Sequence, residues 1–285
     1  MTLLAPAKLN LFLHVLGRRA DGYHELESVF RSISLYDVIT LEESSHGHEI
    51  ALTAPSKLGD PSENLMIKAA KKLQNTSSGV PGANIRLEKN IPVGAGLGGG
   101  SSDAAAALIG LNALWSLNYD LKDLKALGAE IGADVPFFVE GQDAWVAGIG
   151  EVLEPINLPE TYYFLVFPNV LVPTAQIFRD PYLTRDTQPS KIARFLEFPA
   201  GTSWKNDLEE VVLKAYPEVG KLKNWLSRRG TAKMSGSGSA CFIEVNSRAA
   251  AEALEEDLPE SWQGYAVSAG GIEPLHEQVK KLSDR

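Results

Sequence analysis

A single cysteine, Cys241, stands among 285 residues. That excludes an internal disulfide framework and fits a reducing compartment. No stretch approaches the ~18 consecutive apolar residues of a membrane-spanning helix. Basic residues are scarce too: 27 Lys plus Arg against 36 Asp plus Glu give a formal charge of −9. So acidic a chain is ill suited to non-specific attraction to nucleic acid or an anionic membrane, and neither is expected as a partner. Several fixed-spacing motifs are also missing. The sequence has no G-x-x-x-x-G-K-[ST], no V-A-I-K, H-R-D and D-F-G set, no G-x-S-x-G elbow and no His/Cys cluster at zinc spacing. Walker-type NTPases, protein kinases, α/β-hydrolases and zinc sites are thereby set aside.

What is present is the composition of a globular protein, 44% apolar and 22% charged, long enough for one large domain or two medium ones. The apolar stretch 9–17 resembles the core of a leader peptide. However, Leu9, Leu11, Leu13 and Val15 alternate with Lys8, Asn10, Phe12 and His14, and no small-residue cleavage site follows. That is the pattern of a strand with one buried face, in a chain expected to be cytoplasmic. Strands are expected at 3–17, 29–42, 84–89, 144–147, 162–167, 240–245 and 264–268. Helices are expected at 63–75, 101–117, 121–131 behind an Asp120 cap, near 205–229, and at 247–257. The stretch Leu153-Glu-Pro-Ile-Asn-Leu-Pro159 reads as a junction, giving a two-domain α+β protein with a cleft between its halves.

The richest signal is Pro92-Val93-Gly94-Ala95-Gly96-Leu97-Gly98-Gly99-Gly100-Ser101-Ser102, uncharged and running into an alanine-rich helical pattern. Glycines let backbone approach a ligand closely. A serine at the helix start caps one amide, and the remaining amides with the helix dipole favour an anion. Gly94-Ala-Gly96-Leu-Gly-Gly99 also satisfies G-x-G-x-x-G, with Asp120 downstream, so an NAD-dependent oxidoreductase stays open. Against it, the lead-in Leu87-Glu-Lys-Asn-Ile-Pro92 is polar, and the loop outruns a Rossmann turn. A second turn, Gly236-Ser237-Gly238, could close on the same polyphosphate from the other half. Asp134, between a glycine turn and an apolar run, could accept a hydroxyl proton; Lys8 would be its cation. Tyr23 offers a stacking face and His24 a donor and an acceptor, together fit for a heteroaromatic ring.

Taken together, five stretches resemble the GHMP small-molecule kinases: Pro6-Ala-Lys8-Leu-Asn10-Leu-Phe-Leu, Asp21-Gly-Tyr23-His24-Glu25, 92–107, Gly132-Ala-Asp134-Val-Pro-Phe-Phe and Ser235-Gly-Ser-Gly238. Within that superfamily, Lys8/Asn10, Tyr23-His24 and Asp134 are similar to the branch that phosphorylates a cytidine diphosphate-linked methylerythritol. The resemblance implies an N-terminal ATP-binding α/β domain over 1–156 and a C-terminal ferredoxin-like α+β domain over 157–285, with the active site in the cleft between them. It implies transfer of the ATP γ-phosphoryl to the 2-hydroxyl of the erythritol unit, in non-mevalonate isoprenoid precursor synthesis. By the same resemblance Asp134 takes the hydroxyl proton, Lys8 holds Asp134 ionised, and residues 92–102 with Gly236, Ser237 and Gly238 wrap the ATP phosphates. The resemblance also implies that Asn64 lies near the nucleoside, Asn10 bonds the erythritol hydroxyls, Tyr23 and Phe178 sandwich the cytosine, His24 reads its edge, and Thr174 contacts the substrate. Mg2+ is expected with the nucleotide; the sequence names no protein ligand for it, though Ser102 and Asp103 are candidates. A kinase for another small alcohol and a non-catalytic nucleotide-binding module remain alternatives. Nothing in the sequence distinguishes a monomer from a homodimer.

Overall fold

The computed structural model describes residues 1–45, 47–55, 60–76, 79–199 and 204–283. Two long strands form its frame. β1 (Thr2–Arg18) pairs antiparallel with β2 (His24–Glu43), placing Lys8 opposite Ser32 and Asn10 opposite Phe30. β2 opens at His24, earlier than the expected residue 29. The expectation of one buried face on β1 is corrected: every residue from Ala5 to Val15 is buried. Apolar side chains of β1 enter hydrophobic cores, while the polar Lys8 and Asn10 are roofed by loops from both halves of the chain.

β3 (Ile50–Thr53), α1 (Leu65–Gln74), β4 (Ala83–Glu88), α2 (Gly99–Leu114), α3 (Leu121–Ala129), α4 (Val135–Glu140), β5 (Ala144–Ala147) and β6 (Val152–Pro155) complete the N-terminal half. The caps are local. Asn64 Oδ1 accepts from the Met66 amide at 2.9 Å, and Asp120 Oδ1 from the Asp123 amide at 2.8 Å. α2 departs from expectation. It starts at Gly99, and its N-cap is Gly98 in the left-handed region (φ 71°) with no side-chain bond. Ser101 and Ser102 therefore lie inside the first turn and do not cap it. The buried run Ala104–Ala107, with Leu108, packs α2 closely against the sheet and α1; truncating a core leucine such as Leu108 costs roughly 2–5 kcal/mol.

β7 (Thr161–Phe167), α5 (Thr174–Arg179), α6 (Ile192–Glu197), α7 (Glu209–Ala215), α8 (Pro217–Ser227), β8 (Lys233–Met234), β9 (Cys241–Val245), α9 (Arg248–Glu255), β10 (Gln263–Ala269) and α10 (Leu275–Ser283) follow. The helices expected near 205–229 are α7 and α8, separated where Pro217 removes an amide the preceding helix would need. The C-terminal strands run β10-β7-β9-β8, the fourth, first, third and second of that half, as in a ferredoxin-like β-α-β-β-α-β unit.

The halves share one sheet, ordered β3-β4-β2-β10-β7-β9-β8, with β1 and β5 also paired to β2. The seam is narrow, Ala269 opposite Ile33. Buried Arg31 reinforces it, donating to Thr161 Oγ1 (3.1 Å) and Tyr163 Oη (3.3 Å), with Asp143 Oδ2 3.3 Å from its Nε. α10 returns to the N-terminal half, where Gln278 exchanges hydrogen bonds with the backbone of Leu4. Among the described residues no helix is long and apolar enough to cross a membrane.

Candidate active site

A cavity of about 1100 Å3 opens between the halves. One end is walled by backbone. The loop 92–101 runs along it, with Gly236 and Ser237 facing from the other half. Ser235 joins the two: its hydroxyl donates to the Gly96 carbonyl (2.9 Å) and accepts from the Asn10 amide (3.1 Å). The Ala240 amide donates to the Ala95 carbonyl, and Asn206 Nδ2 donates to the carbonyls of Met234 and Gly236. Gly96 has no alternative here. Its φ is +76°, and a Cβ would lie 2.1 Å from the Ser235 carbonyl oxygen. The first α2 amide in the helical ladder is that of Ser102, donating to Gly98. The preceding amides of Gly99, Gly100 and Ser101 are the free donors of this N-terminus, at the cavity wall.

The floor is polar and buried. Lys8 is 4% exposed, its Nζ 2.5 Å from Asn10 Oδ1, 3.4 Å from Asp134 Oδ2 and 4.4 Å from the Phe30 ring centre. Asn10 Nδ2 donates to Ser28 Oγ, which donates on to the Phe12 carbonyl. Asn10 thus spends its acceptor on Lys8 and one donor on Ser28, and keeps a second amide hydrogen for a ligand. Asp134 is positioned by the turn into α4, with Val135 and Pro136 buried behind it.

Side chains build the far end. His24 is buried at the start of β2, Phe178 lies in the last turn of α5, and their ring centres are 5.2 Å apart at 32°. Tyr23 stands 61% exposed at the lip. Thr174 Oγ1 lies 2.7 Å from Ser237 Oγ, joining this end to the second turn. Burial, with Arg185 and Arg18 nearby, holds His24 below the ordinary imidazole pKa, so its ring is neutral at physiological pH.

Nearly all the residues expected at the site line this one cavity: Lys8, Asn10, Tyr23, His24, Asn64, 92–101, Asp134, Thr174, Phe178, Gly236 and Ser237. Ser102 and Gly238 do not. The Ser102 side chain is buried under the loop with its amide committed to the helix, and the Gly238 amide closes a turn onto the Ser235 carbonyl. Asn64 lines the wall while its amide oxygen caps α1.

Sequence reasoning missed Arg185, Asn206 and the pairing of Asp103, expected only as a Mg2+ candidate, with Lys89 and Asp37. Nothing local marks them, since the contacts that give them a role at the site (His24 for Arg185, the 234–236 turn for Asn206, Asp37 for Lys89) lie far along the chain. In that cluster Lys89 Nζ is 2.5 Å from Asp37 and 2.6 Å from Asp103. Burial pushes the Asp103 carboxyl above the ordinary carboxylate range, against the pull of Lys89 and with the neighbouring Asp37 charge. Its Oδ2 is already paired with Lys89, which leaves Asp103 poorly suited to holding a further cation. Among the described residues no three His, Cys, Asp or Glu side chains cluster as a metal cage. The buried Ser102 hydroxyl, without a hydrogen-bond partner at the start of α2, fits as a single ligand to a Mg2+ carried by nucleotide phosphates.

The fold separates this loop from a dinucleotide site. β4, which leads into it, is antiparallel to β2 and next to the edge strand of a mixed sheet; a Rossmann loop follows a central parallel strand.

Comparison with known proteins agrees. Residues 64–142 match the family described as GHMP kinases N terminal domain, and residues 195–264 match GHMP kinases C terminal. A 4-diphosphocytidyl-2-C-methyl-D-erythritol kinase of Xanthomonas oryzae pv. oryzae is 47% identical over 273 residues, covering 95% of this chain and 91% of that protein. Its counterpart from Alcanivorax borkumensis is 42% identical over 284 residues, covering 97% and 93%. A crystal structure of 4-(cytidine 5'-diphospho)-2C-methyl-D-erythritol kinase superposes with a TM-score of 0.81 at 38% identity, over 95% of this chain and 100% of that one. Methanococcus jannaschii mevalonate kinase shares the fold, with a TM-score of 0.66 at 17% identity over 95% of this chain and 98% of that one.

Proposed function

The chain belongs to the 4-diphosphocytidyl-2-C-methyl-D-erythritol kinase family of GHMP kinases, and from that membership we infer the reaction its cleft performs. It moves the γ-phosphoryl group of ATP to the 2-hydroxyl of 4-diphosphocytidyl-2-C-methyl-D-erythritol, giving the 2-phosphate and ADP, a step of non-mevalonate isoprenoid synthesis.

Phosphoryl transfer asks a protein chiefly for positioning and charge stabilisation. The free amides of Gly99, Gly100 and Ser101, with the turn at Gly236 and Ser237, take the nucleotide phosphates. Ser102 Oγ would be the protein ligand of a Mg2+ carried by ATP, an ion that would neutralise charge on the β- and γ-phosphates. Asp134 accepts the proton of the 2-hydroxyl as the oxygen attacks. Lys8, 3.4 Å away and anchored by Asn10, orients that carboxylate and lies where charge gathers on the transferring group. Tyr23 and Phe178 stack the cytosine, and His24 reads its edge.

A single observation supports this reading above the others. The Lys8–Asp134 pair sits in one cavity with a phosphate cradle on one side and an aromatic pocket on the other. A kinase for another small alcohol has no use for the aromatic pocket, and a nucleotide sensor has none for the ion pair. Incubation with MgATP and the cytidylated methylerythritol, followed by 31P NMR, tests it. A new phosphomonoester on the 2-oxygen is expected; turnover of mevalonate or homoserine with no turnover of the cytidylated alcohol would overturn it.

A further inference from the structure

Arg185 holds the base end of the cleft together. Its Nε donates to His24 Nε2 at 3.0 Å, Nη1 donates to the Leu183 carbonyl at 3.0 Å, and Nη2 donates to the carbonyls of Phe178 (3.0 Å) and Asp180 (2.7 Å). One guanidinium thus fastens the start of β2, from the N-terminal half, to the end of α5, from the C-terminal half. Those are the elements carrying His24 and Phe178, and Arg185 itself lines the cavity.

A guanidinium at physiological pH is only a donor, and it does not lose its proton. The nitrogen it faces must therefore be a lone pair. A neutral imidazole has one such nitrogen, so the ring proton of His24 is placed on Nδ1. Unconstrained histidine prefers the opposite tautomer.

We propose that Arg185 is a positioning residue for the acceptor substrate: it sets the Nδ1–H tautomer of His24 and clasps the two walls of the pyrimidine slot in register. The proposal rests on reading this end of the cleft as the cytidine site. His24 is left with a hydrogen-bond donor as its uncommitted group, which suits the acceptor-rich O2/N3 edge of cytosine. Uracil carries a hydrogen on N3 and suits it less. Lysine cannot replace the arginine, because a point charge cannot serve an imidazole and three carbonyls from one planar fork. The charged neighbours of the ring are Arg185 from the loop after α5 and Arg18 at the end of β1. Both are cations, so neither draws a second proton onto it.

The test begins with the protein alone. Long-range 1H–15N NMR of 15N-histidine protein at pH 8, with His24→Gln to assign the signal among five histidines, reads the tautomer directly. A pyrrole-like Nδ1 and pyridine-like Nε2 are expected; the reverse assignment would overturn the proposal. In Arg185→Gln and Arg185→Lys the ring should drift toward Nε2–H. The Kd for CDP should weaken about ten- to a hundredfold, as for loss of a charge-assisted hydrogen bond. KM for the cytidylated alcohol should rise in step, with kcat and KM for ATP within about threefold of the parent. A purely structural role would lower kcat and ATP affinity as well, and unchanged CDP affinity in a variant with a shifted tautomer would refute the positioning claim. If the unsubstituted protein binds no CDP, the cytidine reading fails, and the tautomer result separates that failure from this one.

Discussion

The two ends of the cleft are built from different materials. The phosphate end is backbone: free amides at the start of α2, a glycine forced to φ +76°, and two loops tied by Ser235. The base end is side chain: His24, Phe178, Tyr23 and Arg185, gathered from β2, α5 and the connections beside them. A phosphate looks the same in every nucleotide, so a cradle of amides serves any member of a superfamily. A base must be told from other bases, and that needs side chains in one geometry. The floor between them, Lys8 and Asp134, belongs to neither and is where the proposed reaction places its chemistry.

Each part should therefore fail in its own way. The largest effect is expected at the floor. Asp134→Asn should lower kcat by about 10²- to 10⁴-fold, since it removes the proton acceptor, while calorimetric ADP and CDP affinities stay close to the parent. Comparable turnover in that variant would remove Asp134 from the mechanism. Next comes the cradle. Gly96→Ala places a Cβ against the Ser235 carbonyl in a backbone region that alone costs roughly 1–3 kcal/mol. ADP binding should weaken by about tenfold or more and Tm should fall. An unaltered Tm would mean that the two loops are not locked together as described.

At the base end, Phe178→Ala should raise KM for the cytidylated alcohol about tenfold, the usual scale of a lost base–aromatic contact, and leave KM for ATP unchanged. The smallest effect concerns Asp103. Its carboxyl pKa is raised by burial, so folding favours its protonated form. That contribution is complete below the ordinary aspartate range and fades as pH rises toward the raised value. Asp103→Asn should therefore flatten the pH dependence of Tm on the acid side of neutrality, and an identical Tm–pH curve would contradict the shift.

Much of this was legible in the sequence because it is local. The glycine loop, the Asp120 cap and the alternation in β1 depend on neighbours in the chain, and all three located their elements. What was misread depends on distant partners. Lys8 and Asn10 appeared as a solvent-side pattern, yet loops from 96–97 and 235 bury them. Ser101 and Ser102 looked like caps, but Gly98 takes that place because its φ of 71° turns the loop between Lys8 and Phe138. Arg185 had no signal, since its value lies in an imidazole 161 residues away.

The central claim is that one cavity holds two nucleotides at opposite ends with the Lys8–Asp134 pair between them. Titrating CDP into protein saturated with ADP and magnesium, by isothermal calorimetry, tests it most directly. One CDP should bind per chain with nearly the affinity seen without ADP; competition between the two nucleotides for a single site would contradict the account.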